Sequence, residues 1–92
     1  MTLKEVKKNL EELVGRKYNE LCDLVEGVYE CFGDYSYDGE EHIIADCSSF
    51  GEVTAYADHI DAPEFHIAYN AETDEDGEFE TITVTGVELY ER

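Results

Sequence analysis

The sequence predicts an α+β fold, in which two N-terminal helices pack on one face of a four- to five-stranded, mostly antiparallel meander. Three observations lead to this prediction. Apolar residues recur at intervals of three and four as far as Phe32, the interval then changes to two, and short turn sequences separate the alternating segments. Because the 92 residues contain no repeat and no linker, residues 1–92 are predicted to form a single domain.

Two helices are predicted before Gly33. Thr2 and Glu5 have the spacing of a capping box, and the apolar interval predicts a first helix over residues 3–14. A broader apolar stripe over residues 18–32 predicts the main core helix. Acids without an intervening base line its outer side: Glu20, Asp23, Glu26 and Glu30. Since like charges at this spacing weaken a helix, a purely structural helix would normally interleave lysines among them.

The strands follow from alternation and from turn residues. The Tyr-Asp-Gly sequence at 37–39 predicts a two-residue hairpin turn. The predicted strands are a short one around Tyr35, then 42–46, 53–58, 64–72 and 78–90. In the last strand Ile82 and Val84 share one parity, whereas Val87 and Leu89 share the other, so a β-bulge is predicted at Gly86.

Charge is the most unusual property of the chain. The formal net charge is −18, from 24 acids and 6 bases. All bases but Arg92 fall within the first 17 residues, and residues 18–91 contain 21 acids and no Lys or Arg. Such a surface repels nucleic acid and anionic membranes, so neither is expected as a direct partner. The predicted partner is a basic nucleic-acid-binding protein.

The sequence contains no motif for catalysis or for a cofactor. His42, His59 and His66 fall on different predicted segments, and no two cysteines have the spacing of a metal site. An EF-hand alignment of the segment around Gly77 places Thr83 where a bidentate Glu is required. We therefore expect a protein that is not an enzyme, with no catalytic residue, no metal and no cofactor. The lack of a signal or membrane-spanning segment predicts a cytoplasmic protein in its host cell.

Two acidic segments are the predicted partner-binding regions. Their predicted contact residues are Asp34, Tyr35, Tyr37, Asp38, Glu40 and Glu41 in the first, and Glu72, Asp74, Glu75, Asp76, Glu78 and Glu80 in the second. Alternate acids from 72 to 80 share one parity, which on an extended chain would space them about 6.6 Å apart in a row that resembles backbone phosphates. Tyrosines would add flat contacts for arginine side chains: Tyr35, Tyr37, Tyr56 and Tyr69.

This pattern resembles the DNA-mimic inhibitors of phages and mobile elements, the anti-CRISPR and anti-restriction proteins. The resemblance covers the charge pattern and architecture of residues 18–91. It implies a non-enzymatic inhibitor that evades host defence by blocking the nucleic-acid site of a partner such as a Cas effector or a restriction enzyme. Two alternatives remain open. The chain is a salt-adapted housekeeping domain whose acids provide solubility, or an acidic adaptor or antitoxin that covers a basic partner.

Overall fold

Two helices and one five-stranded antiparallel sheet confirm the predicted α+β architecture. The structure is a computed structural model that describes residues 1–77 and 80–91. In chain order the elements are α1 Leu3–Glu11, β1 Lys17–Tyr18, α2 Leu21–Phe32, β2 Ile43–Asp46, β3 Glu52–Ala57, β4 Glu64–Thr73 and β5 Glu80–Tyr90. The sheet order is β1-β5-β4-β3-β2, so the four longer strands form the predicted meander and β1 is added at one edge.

The first helix begins as predicted and ends early. The Thr2 hydroxyl accepts a hydrogen bond from the backbone N–H of Glu5 at 3.2 Å, and the Glu5 carboxylate accepts one in return, which completes the capping box. The helix ends at Glu11 rather than at residue 14. Gly15 adopts a positive φ of 90°, and its N–H donates to the Val84 carbonyl at 2.8 Å. This bond to β5 draws the chain out of the helix and toward the sheet.

Strand β1 was not predicted, because two residues are too short to show an alternating pattern. Lys17 pairs with Thr83, and Tyr18 pairs with Ile82. The predicted start of the second helix at residue 18 is therefore wrong, since this pairing holds Tyr18 in the sheet and α2 begins at Leu21. The expected strand around Tyr35 is also absent, and this segment forms a tight turn instead.

The predicted β-bulge lies beside Gly86. Ala68 pairs with Gly86, but the next residue of β4, Tyr69, pairs with Val84, so Thr85 is the extra residue. The bulge lets Ile82 and Val84 on one side of it, and Val87 and Leu89 on the other, all pack toward the same core.

The core lies between the two helices and one face of the sheet. Among the described residues its largest fully buried side chains are Val6, Leu10, Leu24, Val28, Phe32, Val53, Phe65, Ile67, Ile82 and Val84. Phe32 of α2 packs edge-on against Phe65 of β4, with ring centroids 5.6 Å apart. None of these buried sheet residues lies on the opposite face, which we call the open face. Its residues on the three central strands include Glu52, Thr54, Tyr56, Glu64, His66, Ala68, Glu88 and Tyr90.

The described part of the molecule is elongated, with extents of 47 × 23 × 19 Å. No helix within residues 1–77 and 80–91 is both long enough and apolar enough to cross a membrane.

Candidate cation-binding surfaces

The first predicted segment, which we call the acidic loop, covers residues 34–41 and connects α2 to β2. Asp38 and Gly39 both have positive φ values, 49° and 84°, and Tyr37 and Glu40 exchange backbone hydrogen bonds across them. This geometry is that of a type I′ turn and confirms the predicted two-residue hairpin. Asp38 lies 3.2 Å from the ring nitrogen Nε2 of His59, so the loop is held against the β3–β4 connection.

The charges of the acidic loop differ in their freedom to meet a partner. Asp34 lies 3.1 Å from the N-terminal ammonium group of Met1, and this hydrogen-bonded cation lowers the pKa of the Asp34 carboxyl. Glu40 accepts a hydrogen bond from the backbone N–H of His42 at 3.0 Å, whereas Glu41 is exposed. Two of the four carboxylates thus already contact a cationic or titratable group in the protein itself.

Tyrosines are less available than expected. Tyr35 is only 6% exposed and Tyr69 only 7%, so both rings belong to the core and not to a contact surface. Tyr35 packs against Phe32 at 5.8 Å, and burial raises the pKa of its phenol. Tyr69 shares the parity of Phe65 and Ile67, so the alternation of β4 accounts for its burial, whereas Tyr35 is buried by its contact with Phe32 of α2. Tyr37 and Tyr56 are half-buried and keep part of their surface accessible.

The second predicted segment, which we call the acidic arm, covers residues 72–80 at the end of the β4–β5 hairpin. Glu72, Asp74, Glu75, Asp76 and Glu80 are all exposed, and Glu78 lies outside the described residues. The tip is closed by a turn in which the N–H of Gly77, with a φ of 72°, donates to the carbonyl of Asp74 at 3.1 Å.

The predicted single row of acids along the arm is wrong. Glu72 pairs with Thr81, whereas Glu80 pairs with Thr73. Residues directly opposite each other in an antiparallel pair share a face, and neighbours along one strand point to opposite faces. Glu72 therefore points to the open face and Glu80 to the helix side. The turn at the tip reverses the parity on which the row depended.

The acidic loop and the acidic arm lie at opposite ends of the molecule. The loop enters β2 at Ile43, which pairs with Ala57 at the end of β3 where the chain turns into β4. The arm begins at the other end of β4, which contains 10 residues. At about 3.3 Å per residue the two ends of this strand are about 30 Å apart. The two segments therefore do not form one continuous patch.

Sequence reasoning missed a third group of charged residues, on the open face between these ends. His66 is its centre: Nδ1 lies 2.5 Å from Oε1 of Glu52, and Nε2 lies 3.3 Å from Oε2 of Glu64. The Tyr90 ring packs against the His66 ring at 4.3 Å, and its hydroxyl donates to Oε2 of Glu88 at 2.6 Å. The alternation within the predicted strand indicated this group, since Glu64 and His66 alternate with buried Phe65 and Ile67 and therefore share the face away from the core.

Acids also line a groove on the helix side, between α1, β1 and α2. Glu12, Asp23, Glu26 and Glu30 line it together with Arg16. Nearby, Glu20, Cys22 and Asp23 form the one group within residues 1–77 and 80–91 that could hold a metal ion. All three are exposed, and the Cys22 thiol donates to Oε2 of Glu20 at 3.2 Å. This hydrogen bond raises the pKa of Cys22, which disfavours the thiolate form that binds metals.

These surfaces share one chemical property, which is that they present carboxylates to solvent and can bind cations. On the open face the Glu52 carboxylate of β3 contacts the His66 ring of β4, and Glu64 and Glu88 are held by side chains two residues away on their own strands. In comparisons with known proteins, no family model, no curated protein and no solved structure matches the chain.

Proposed function

We propose that this protein binds the cationic nucleic-acid-binding surface of another protein and blocks it by imitating the charge of a polynucleotide. The observation that carries the proposal is the excess of acids, since 6 Lys and Arg residues can neutralise at most a quarter of the 24 acids. Among the described residues, one lysine or arginine pairs with a carboxylate within 4.0 Å, namely Lys7 with Glu11 at 3.8 Å. Most of the negative charge of the chain is thus left for an external cation.

The charge density supports this proposal. Duplex DNA carries one charge per about 1.7 Å of axis, so 47 Å of duplex carries about 28 charges. The chain carries a net −18, or roughly two thirds of that number, over a body of that length. A groove lined with Lys and Arg would therefore meet a field of similar sign and strength.

The class of partner comes from the resemblance described above. A Cas effector or a restriction enzyme has a groove that accepts a polyanion, and an occupant of that groove needs no catalytic group. Complementary charge makes such association fast and strongly dependent on salt.

The experiment is capture followed by displacement. The protein is immobilised, partners are captured from a host lysate at 50 mM salt, and duplex DNA or RNA is then added to the washed complex. We expect nucleic acid or 500 mM salt to release the captured protein, because both compete for the same cations. Release by 500 mM salt but not by nucleic acid would contradict the proposal. A matched control replaces Lys4, Lys7 and Lys8 with Gln, which should leave capture intact.

The distribution of the acids favours a second candidate, the salt-adapted domain. Carboxylates occur at both ends, on the open face and along α2, so no side of the described structure is free of them. Such a domain should gain stability continuously from 0.1 to 3 M KCl. A nucleic-acid mimic should gain stability only up to about 1 M KCl, where the Debye length falls to about 3 Å and the repulsion among its own acids is screened. Urea unfolding as a function of KCl separates the two.

A further inference from the structure

A hollow on the open face has the composition of a site for one cationic side chain. Its lining residues come from three adjacent strands and are Glu52, His66, Ala68, Gly86, Val87 and Glu88. It lies between the acidic loop and the acidic arm, and none of its members was among the predicted contact residues.

The floor of the hollow exists because two small residues are paired across the strands. Ala68 of β4 pairs with Gly86 of β5, and Glu52 of β3 pairs with Ala68 on its other side. A Cβ atom built on Gly86 would meet no atom within 4 Å, and Gly86 has no positive φ. The backbone there does not require glycine, so the missing side chain leaves open space that a ligand can enter.

The rim of the hollow carries two carboxylates that are held in place. Oε1 of Glu52 contacts His66, and Oε2 of Glu88 accepts a hydrogen bond from Tyr90. Each carboxylate keeps its second oxygen for another donor. The hydrogen bond to Glu88 and the charge of Glu88, followed by desolvation and the charge of Glu52, raise the pKa of the Tyr90 phenol.

An aromatic surface lies beside the rim. Tyr90 is 50% exposed, and its ring contacts the ring of His66 at 4.3 Å. A planar cation that enters over Gly86 would therefore find carboxylates to receive its N–H groups and aromatic edges and faces to pack against.

We infer that this hollow binds an arginine side chain of the cationic partner. A guanidinium group presents several N–H donors in one plane, can bridge two carboxylates and stacks on aromatic rings. A lysine ammonium group carries the same charge, but it is not planar and cannot donate two parallel hydrogen bonds to one carboxylate. The inference rests on the proposed function for the identity of the partner, whereas the chemistry of the hollow can be tested on this protein alone.

The test is an NMR titration of the ¹⁵N-labelled protein with hexa-arginine and, separately, hexa-lysine at the same ionic strength. We expect hexa-arginine to shift the amide signals of Ala68, Gly86 and Glu88 most strongly. Its affinity should exceed that of hexa-lysine about fivefold, as expected when stacking and a forked contact are added to charge.

Two variants make the test specific. Gly86→Leu fills the floor without removing a charge and should lower the affinity for hexa-arginine about fivefold, to the level of hexa-lysine. Thr83→Leu is the matched control, because Thr83 pairs with Asn70 on the same open face but does not line the hollow. It should bind hexa-arginine as the unchanged protein does. If Gly86→Leu fails to fold, Glu52→Gln combined with Glu88→Gln replaces it and should give the same loss.

Three results would overturn the inference: equal binding of both peptides, unchanged affinity in Gly86→Leu, or shifts centred on the acidic arm. These results differ from those expected if the proposed function is wrong and the arginine site exists. In that case the arginine site would be found in the titration, but nucleic acid would not displace the captured partner.

Discussion

Replacing Glu26 of α2 with lysine should stabilise the protein by an amount that can be worked out from the helix. Glu26 is exposed and lies three residues after Asp23 and four residues before Glu30. Both neighbours are acids, so the wild-type residue takes part in two repulsive pairs on one helix face. Glu and Lys have similar helix propensity, so the substitution changes charge and little else.

The expected gain is about 1 kcal/mol. Each like-charge pair costs about 0.2–0.5 kcal/mol, and each opposite-charge pair contributes about the same amount. Reversal removes two repulsions and creates two attractions, for a total of about 0.8–2 kcal/mol. Arg16 lines the same groove and will repel the new lysine, which places the expected value near the lower end. For a domain of this size about 1 kcal/mol raises Tm by roughly 4–8 °C.

Thermal unfolding followed by circular dichroism at 50 mM and at 1 M NaCl measures the effect. The gain should be largest at low salt and nearly vanish at 1 M, where exposed charges are screened over about 3 Å. Glu26→Gln serves as the control and should give about half the gain, because it removes repulsion without adding attraction. A gain that persists at 1 M, or no gain at 50 mM, would refute the view that these acids are retained at a cost to stability.

Further predictions concern the cap, two glycines and one carboxylate. Thr2→Ala should lower the free energy of unfolding by about 1 kcal/mol in urea titrations, because it removes the capping box of α1. Gly33→Ala should lower the free energy of unfolding by about 1–2 kcal/mol, since Gly33 has a φ of 52°. Gly86→Ala should leave this free energy unchanged or raise it. A larger loss in Gly86→Ala than in Gly33→Ala would contradict the backbone conformations described above. NMR titration should show a lowered pKa for Asp34, which N-terminal acetylation returns to the ordinary aspartate range. The stabilisation from this pair is present above the ordinary aspartate pKa and is lost as the pH falls through the lowered value, so acetylated protein should lose less stability over that range.

Features governed by local rules were predictable from the sequence. The capping box at Thr2 and the type I′ turn at Asp38 and Gly39 depend on residues that are neighbours in the chain. The bulge beside Gly86 was visible because a change of parity within one strand needs an extra residue to keep both halves on the core. The alternation in β4 predicted its buried face for the same reason.

Features that depend on pairing between distant segments were not predictable. Strand β1 exists because β5 offers it an edge, and two residues carry no period of their own. Parity along 72–80 predicted a single row of acids, but the register of Glu72 with Thr81 places Glu72 and Glu80 on different faces. The hollow joins Glu52 and Glu88 from strands that are not neighbours in the sheet, so no spacing in the sequence indicates it.

The separation of the two acidic ends limits how a partner can use them. Because they lie about 30 Å apart, a cationic site that contacts both must be at least that long, and it must cross the strands between them. On one side those strands are covered by α1 and α2, where the acids of the helices and Arg16 of the α1–β1 connection mix both signs of charge. On the other side lies the open face, where Glu52, Glu64 and Glu88 continue the negative charge from one end toward the other. A long groove can therefore engage the whole molecule only along the open face. Charge reversal on the acidic arm alone should then weaken the binding of such a partner without abolishing it. Gly86→Leu should also weaken this binding, because Gly86 lies in the middle of the contact.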